Sequence, residues 1–246
     1  MGGISLLLLI AVSVMALTPI IIGIFTGVFA QRFTPKAKST ILGLAFGAMI
    51  FSLLDLFRGA SGLGVDFGFS SPFTQLLLLL SFSLGLFLPK FLNRSPEISS
   101  LLYPFAIVIG FHSFGEGIVI GYDISVGYGF PIIDRGIQSL SFILHKGAEG
   151  LAISIPILFS KYVSRKTLAY ATLLSGGPLI VGTILVSFGI SGSFASFSFA
   201  AGVGGLTFML LKIGNILGKQ KESDLIYFGL LAGILYMYLA GAIHGI

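Results

Sequence analysis

Two short stretches of this 246-residue chain place a histidine four residues before a glutamate. Phe111-His112-Ser113-Phe114-Gly115-Glu116-Gly117 and Leu144-His145-Lys146-Gly147-Ala148-Glu149-Gly150 share the pattern HxxxEG. On an α-helix that spacing sets both side chains on one face, one turn apart, where they can ligate a single ion. Two such faces make a four-ligand cage from His112, Glu116, His145 and Glu149. Imidazole and carboxylate together suit Zn²⁺ and also Fe²⁺, Mn²⁺, Co²⁺ or Cd²⁺, and two carboxylates balance the charge of one divalent cation. The plainer alternative is a His–Glu hydrogen-bonded network that joins two helices. Cysteine is absent, which excludes disulfides, thiolate metal sites and cysteine nucleophiles together.

The elements that must position these residues are membrane helices. The chain is 55% hydrophobic and 9% charged, where a soluble domain carries about 25% charge. Its apolar residues gather into runs of about 20, the length that crosses a hydrocarbon core, rather than the short alternating runs of a barrel. Stretches bounded by Lys, Arg, Pro or polar clusters predict eight spans near 4–30, 39–57, 72–92, 101–122, 131–160, 167–189, 194–217 and 225–245. The first lacks a basic segment ahead of its apolar stretch and is read as a mature helix. No connection is long enough for a soluble domain, so 1–246 reads as a single transmembrane domain. Both motifs fall near the middle of consecutive, antiparallel spans, which lets the two pairs meet at one depth. Ionisable groups at that depth cost at least ~2.5 to 3.5 kcal/mol each, so their default reading is functional.

Basic residues alternate between loops. One set holds Arg32, Lys36, Lys38, Lys90, Arg94, Lys161, Arg165, Lys166, Lys219 and Lys221, and the other only Arg58 and Arg135. The positive-inside rule then places the first set in the cytoplasm and both termini outside the cell membrane. With basic residues scattered over short loops and no aromatic stacking platform, nucleic acid is not an expected partner. Small-xxx-small spacings at Gly23/Gly27, Gly43/Gly47, Gly117/Gly121 and Gly229/Gly233 predict close helix packing. Asp55 at the outer end of the second span, and Asp123 and Asp134 flanking the outer loop between the motif helices, are candidate entrance or relay carboxylates. Asp55 also has Arg58 three residues away as an alternative surface partner. His244 reads as an interfacial residue, not a ligand.

The motif spans resemble the fourth and fifth helices of the ZIP (Zrt/Irt-like) family of metal transporters, whose bacterial members carry H-N-x-P-E-G in one or both. Gly43 to Phe57 resembles the family's second helix with its terminal acidic residue, and Phe199 to Leu211 its seventh. The resemblance implies an all-α bundle of eight transmembrane helices in which helices 1–3 and 6–8 form an inverted repeat around helices 4 and 5. It also implies a substrate rather than a cofactor: a divalent metal.

Several positions depart from the family. Its second metal uses the residue after each first-site ligand, and here those are Ser113 and Lys146. The glutamate that often precedes a proline in its sixth helix is replaced in Ser175-Gly176-Gly177-Pro178. Lys146 therefore reads either as a built-in substitute for a second metal or as a salt bridge to Glu149. Gly115 and Ala148 stand where the family has a motif proline, and Lys212 where it tends to be acidic; snorkelling to the cytoplasmic surface accounts for Lys212.

The expected function is transport of a divalent cation, Zn²⁺ first, toward the cytoplasm by alternating access around a mononuclear site. A non-transporting sensor or scaffold and an intramembrane metallohydrolase are the competing classes. With no HExxH and both glutamates committed as ligands, an enzyme is not expected. The expected partners are the metal ion and the lipid bilayer, with a homodimer left open.

Overall fold

A computed structural model of the chain describes residues 5–66, 71–93, 95, 97–126, 136–219 and 223–243. Among the described residues it is helical throughout, with no strand. The helices are α1 (Leu6–Ala30), α2 (Pro35–Asp66), α3 (Pro72–Leu92), α4 (Leu102–Ser125), α5 (Gly136–Leu158), α6 (Arg165–Val186), α7 (Phe194–Leu217) and α8 (Ser223–Ile243), with a 3-10 turn at Ile98–Leu101 before α4. Ser5, Ser71 and Ser164 cap α1, α3 and α6 by accepting from the backbone N–H three residues on, which satisfies donors the first turn leaves free.

Seven of these helices are long and apolar enough to cross a membrane. The exception is α5, whose middle carries His145, Lys146 and Glu149. Large apolar side chains stay exposed on the outer faces, Phe73 and Leu84 on α3 and Tyr227 and Phe228 on α8 among them. In lipid that exposure carries no penalty, and each helix satisfies its backbone internally. The chain is an all-α, multi-pass membrane bundle.

Several boundaries differ from expectation by a few residues, and two of them have a clear cause. The second span, predicted at 39–57, belongs to a helix that runs Pro35–Asp66; the apolar stretch marks the membrane, and the helix continues past it. The sixth, predicted to 189, ends at Val186, and Gly189 has φ +88°, which breaks the helical path. Residues 131–135 of the predicted fifth span lie outside the described residues.

The helices pack with a hidden symmetry. Exchanging α1, α2, α3 with α6, α7, α8 and α4 with α5 carries neighbour pairs onto neighbour pairs: α1·α5 onto α6·α4, α2·α8 onto α7·α3, and α5·α8 onto α4·α3. An inverted repeat, in which each exchanged helix runs opposite to its mate, has this pattern of neighbours.

Glycines divide these contacts into two kinds. On α2 and α8, an added Cβ at Gly47 would strike the Leu230 carbonyl and one at Gly233 the Leu44 carbonyl. The same backbone-on-backbone approach recurs at Gly23 and Gly150 between α1 and α5, at Gly117 between α4 and α6, and at Gly85 between α3 and α7. These faces join the helices in four pairs, α1·α5, α4·α6, α2·α8 and α3·α7, and packing of α1 on α6 and of α2 on α7 assembles the pairs into two groups, α1-α4-α5-α6 and α2-α3-α7-α8. Contacts between the groups are made by side chains, such as Val108 of α4 on Gly205 of α7.

The four glycine-lined faces therefore set stability. Gly233→Leu is expected to lower the thermal denaturation midpoint of the detergent-solubilised protein by 10 °C or more (on the order of 3 kcal/mol, as for overpacked cores). Gly177→Ala, whose methyl meets nothing within 4 Å, is expected to leave it unchanged or raise it.

Candidate metal centre

The helical spacing of each motif does what the sequence implies. His112 and Glu116 project from one face of α4, His145 and Glu149 from one face of α5, and the four offer ligand atoms that all lie within 4.8 Å of one another. His112 Nε2 stands 3.0 Å from Glu116 Oε1, 3.3 Å from Glu149 Oε1 and 3.3 Å from His145 Nε2. His145 Nε2 stands 3.2 Å from Glu149 Oε1 and 3.9 Å from Glu116 Oε1. A tetrahedral ion bound at 2.0–2.2 Å separates its ligands by ~3.3 Å. Five separations between 3.0 and 3.9 Å match the edges of that tetrahedron. The donor set is two imidazole nitrogens and two carboxylate oxygens, which fits a divalent ion.

Beside this cage lies a fully buried cation. Lys146 is 0% exposed, and its Nζ donates to Ser113 Oγ at 3.0 Å and to Glu149 at 2.9 and 2.8 Å from its two carboxylate oxygens, while also pairing closely with Glu116 Oε2. An ammonium has three N–H donors. Here Ser113, Glu149 and Glu116 occupy them all, and the ring of Phe142 lies 5.7 Å away. Lys146 is thus more than the salt bridge to Glu149 that its spacing implies, since it bridges both carboxylates. Glu116 turns Oε1 to the histidines and Oε2 to the lysine.

The second four-helix group touches the site without supplying a ligand. Ser198 of α7 donates to the Phe111 carbonyl at 2.5 Å, and Tyr236 of α8 donates to the Leu144 carbonyl at 2.8 Å. Each grips the residue just before a histidine of the cage. Phe199 sets its ring edgewise to His112, with centroids 6.0 Å apart at 73°, and packs into the notch left by Gly115. Among the described residues His112 Nδ1 is buried without a partner, so the ring is oriented by its Nε2 contacts with the glutamates and by the packing of Phe199.

Sequence reasoning did not single out Ser198 or Tyr236, because a lone hydroxyl on an apolar helix carries no spacing signal. Among the other expected residues, Asp55 is exposed on α2 and Asp123 half-buried near the end of α4, and neither joins the cluster. Asp134 and His244 lie outside the described residues. Ser175, which stands in the expected place of a glutamate, spends its hydroxyl on the Ala171 and Thr172 carbonyls of its own helix.

No protein-family model matches the chain, and no curated protein matches it. Fold and site together define the class: a multi-pass helical membrane protein with a buried His/Glu cluster of metal-binding geometry.

Removing the lysine would leave two carboxylates uncompensated in a low-dielectric interior. Lys146→Met is expected to cost about 3–5 kcal/mol of stability in metal-free protein. Adding Glu149→Gln should recover much of that loss, and the paired variants can be compared by thermal denaturation in detergent with chelator present.

Proposed function

We propose that this chain transports a divalent metal cation, Zn²⁺ foremost, toward the cytoplasm by alternating access, as a relative of the ZIP transporters it resembles. The observation that carries the reading is the four-ligand cage, set in mid-helix on α4 and α5 where an inverted repeat has its centre. Inverted repeats of transporters generally hold their substrate at that place. A resident structural ion would need no such position, and mid-membrane ionisable groups are costly to keep.

The choice of Zn²⁺ follows from how the carboxylates are shared. Lys146 pairs with Oε2 of Glu116 and with both oxygens of Glu149, so each glutamate turns one oxygen, Oε1, to the histidines, and that of Glu149 is shared with the lysine. Four monodentate ligands, two nitrogen and two oxygen, suit a tetrahedral ion. Mg²⁺ demands octahedral geometry at hard oxygen ligands, and Ca²⁺ takes six to eight oxygens. The fixed ammonium also stands where a second metal would sit, which makes the site mononuclear, with one negative charge left over for the incoming ion.

Movement has a natural division in the packing. All four ligands belong to the α1-α4-α5-α6 group, and we assign it as the part that moves with its ion against α2-α3-α7-α8. The interface between the groups consists of side-chain contacts and a few hydroxyl-to-carbonyl bonds, which can break and re-form. We place both termini outside, on the alternation of basic loops.

A second reading has one specific observation in its favour. Lys146 holds both carboxylates firmly, and a site that releases its ion slowly serves a non-transporting sensor or scaffold. Flux separates the two readings. A hydrolase is disfavoured because catalytic zinc needs a general base that is not a ligand, and among the described residues the cluster contains no further carboxylate.

Elemental analysis of purified wild-type protein should give one Zn²⁺ per chain, and Glu149→Ala none. In proteoliposomes, Zn²⁺ uptake by the wild type should fall at least 100-fold in Glu116→Ala and in Glu149→Ala, on the order of 3 kcal/mol for a lost metal ligand. Stoichiometric binding with no wild-type uptake identifies the sensor; equal uptake in wild type and variants ends the proposal.

A further inference from the structure

At one membrane face, the ends of four helices leave a cleft of about 310 Å³. α3 ends there, α4 begins there through its 3-10 turn, and α5 and α7 end there. It is the face that the basic loops assign to the cytoplasm, and it lies at the opposite end of α4 from Asp123.

Its polar wall is built from donors. Lys212, Asn215 and Lys219 lie along one stripe of α7, at spacings of three and four, and all three are exposed. No carboxylate lies within ion-pair distance of either lysine among the described residues. Lys212 instead rests its Nζ 5.6 Å from the ring of Phe208. Facing them is Asn93, whose Oδ1 accepts from the Ser95 backbone N–H at 3.1 Å and from the Ser100 hydroxyl at 2.8 Å. Because a backbone N–H is always a donor, this fixes the amide orientation and leaves the Asn93 Nδ2 as a further donor on the cleft wall.

Two ammonium groups with no carboxylate partner among the described residues repel a metal ion, so the cleft is no exit for the cation. They suit an anion, and the remaining wall decides its source. Ile98, Phe159 and Ile216 line the cleft with apolar surface. Its rim continues into the exposed belt of the bundle: Phe91 and Leu92 precede Asn93, and Leu211 precedes Lys212, all three with side chains at least half exposed. A ligand that fits is anionic at one end, apolar at the other, and reaches the cleft from the bilayer.

We infer that this cleft binds the phosphate headgroup of an anionic phospholipid, with Lys212 and Lys219 as its counter-charges, Asn215 and Asn93 as hydrogen-bond donors, and the acyl chains lying along α3 and α7. Basic pockets between helices on the cytoplasmic side recognise headgroups in this way. Both α3 and α7 belong to the helix group without metal ligands, so the lipid fastens that group to the bilayer.

The test uses the full chain in detergent, titrated separately with phosphatidylglycerol and phosphatidylcholine and read by native mass spectrometry. Phosphatidylglycerol is expected to bind preferentially, and Lys212→Gln/Lys219→Gln to weaken it on the order of 20-fold, from about fivefold per lysine at a membrane surface. Lys36→Gln/Lys166→Gln removes the same charge from the same face outside the cleft and is expected to change binding less than twofold. Equal losses in the two double variants, or no loss in the first, would overturn the inference. Displacement of the lipid by low-millimolar inorganic phosphate would overturn it too, by showing that the cleft reads a free anion. Both substitutions replace exposed side chains, so folding is not at issue, and the Zn²⁺ stoichiometry of the same samples is independent of the result.

Discussion

Two carboxylates held in the middle of a membrane bundle need compensating charge, and the rest of this structure is arranged around supplying it. Glu116 and Glu149 share one ammonium, Lys146, whose remaining donor goes to Ser113. A buried ion pair is seldom stabilising against an apolar alternative, because desolvation takes back most of the Coulomb gain. Its presence in a chain with so few charges therefore reflects what the carboxylates do with their other oxygens, which face His112 and His145. One ammonium leaves the pair of glutamates with a single net negative charge, and a divalent ion placed among the four ligands would turn that into a single net positive one.

That arrangement requires α4 and α5 to be held in register, and glycine does the holding. α5 lies against α1 through Gly150 and Gly23, and α4 against α6 through Gly117 and Gly182, with backbone meeting backbone in each case. Such surfaces have no side chains to re-pack and so tolerate little sliding. The Ser198 and Tyr236 hydroxyls then reach in from the other helix group to the carbonyls just ahead of the two histidines. The positioning of the cage thus has a rigid part within its own group and an exchangeable part across the interface.

Much of this is legible in the sequence because it is periodic. An i, i+4 pair on each of two antiparallel helices defines the cage, and uncharged runs of membrane-spanning length define most of the bundle. Gly43/Gly47 and Gly229/Gly233 announce the α2·α8 face, where each pair meets the carbonyls of the other helix. What could not be read is whatever depends on distance between elements that no repeat connects. Lys146 has Glu149 three residues on, which signals one bond; its reach to Glu116 and Ser113 depends on how α4 and α5 cross. Asp55 and Asp123 illustrate the reverse error, since an acidic residue near a span end looks available to a site that the packing keeps away from it. The true end of α2 was hidden for a similar reason: hydropathy reports the membrane boundary, not where a helix stops.

The division into two groups also limits how ion binding can act on the whole molecule. Because every ligand comes from α4 and α5, an ion adds no bond between the groups; it stiffens one of them and reverses the sign of its charge. Coupling to the other group must therefore pass through what touches the ligands, namely the Ser198 and Tyr236 bonds and the Phe199 ring beside His112. Hydrogen bonds between membrane helices are worth about 0.6 kcal/mol on average, so two of them bias a docked arrangement by only about a factor of ten. An equilibrium so finely poised can be tipped by the change in charge alone. With its ion in place the cage changes from one net negative charge to one net positive charge, so the arrangement that a loaded protein prefers is decided by how the surroundings receive a cation in place of an anion, rather than by any bond the ion makes between the groups.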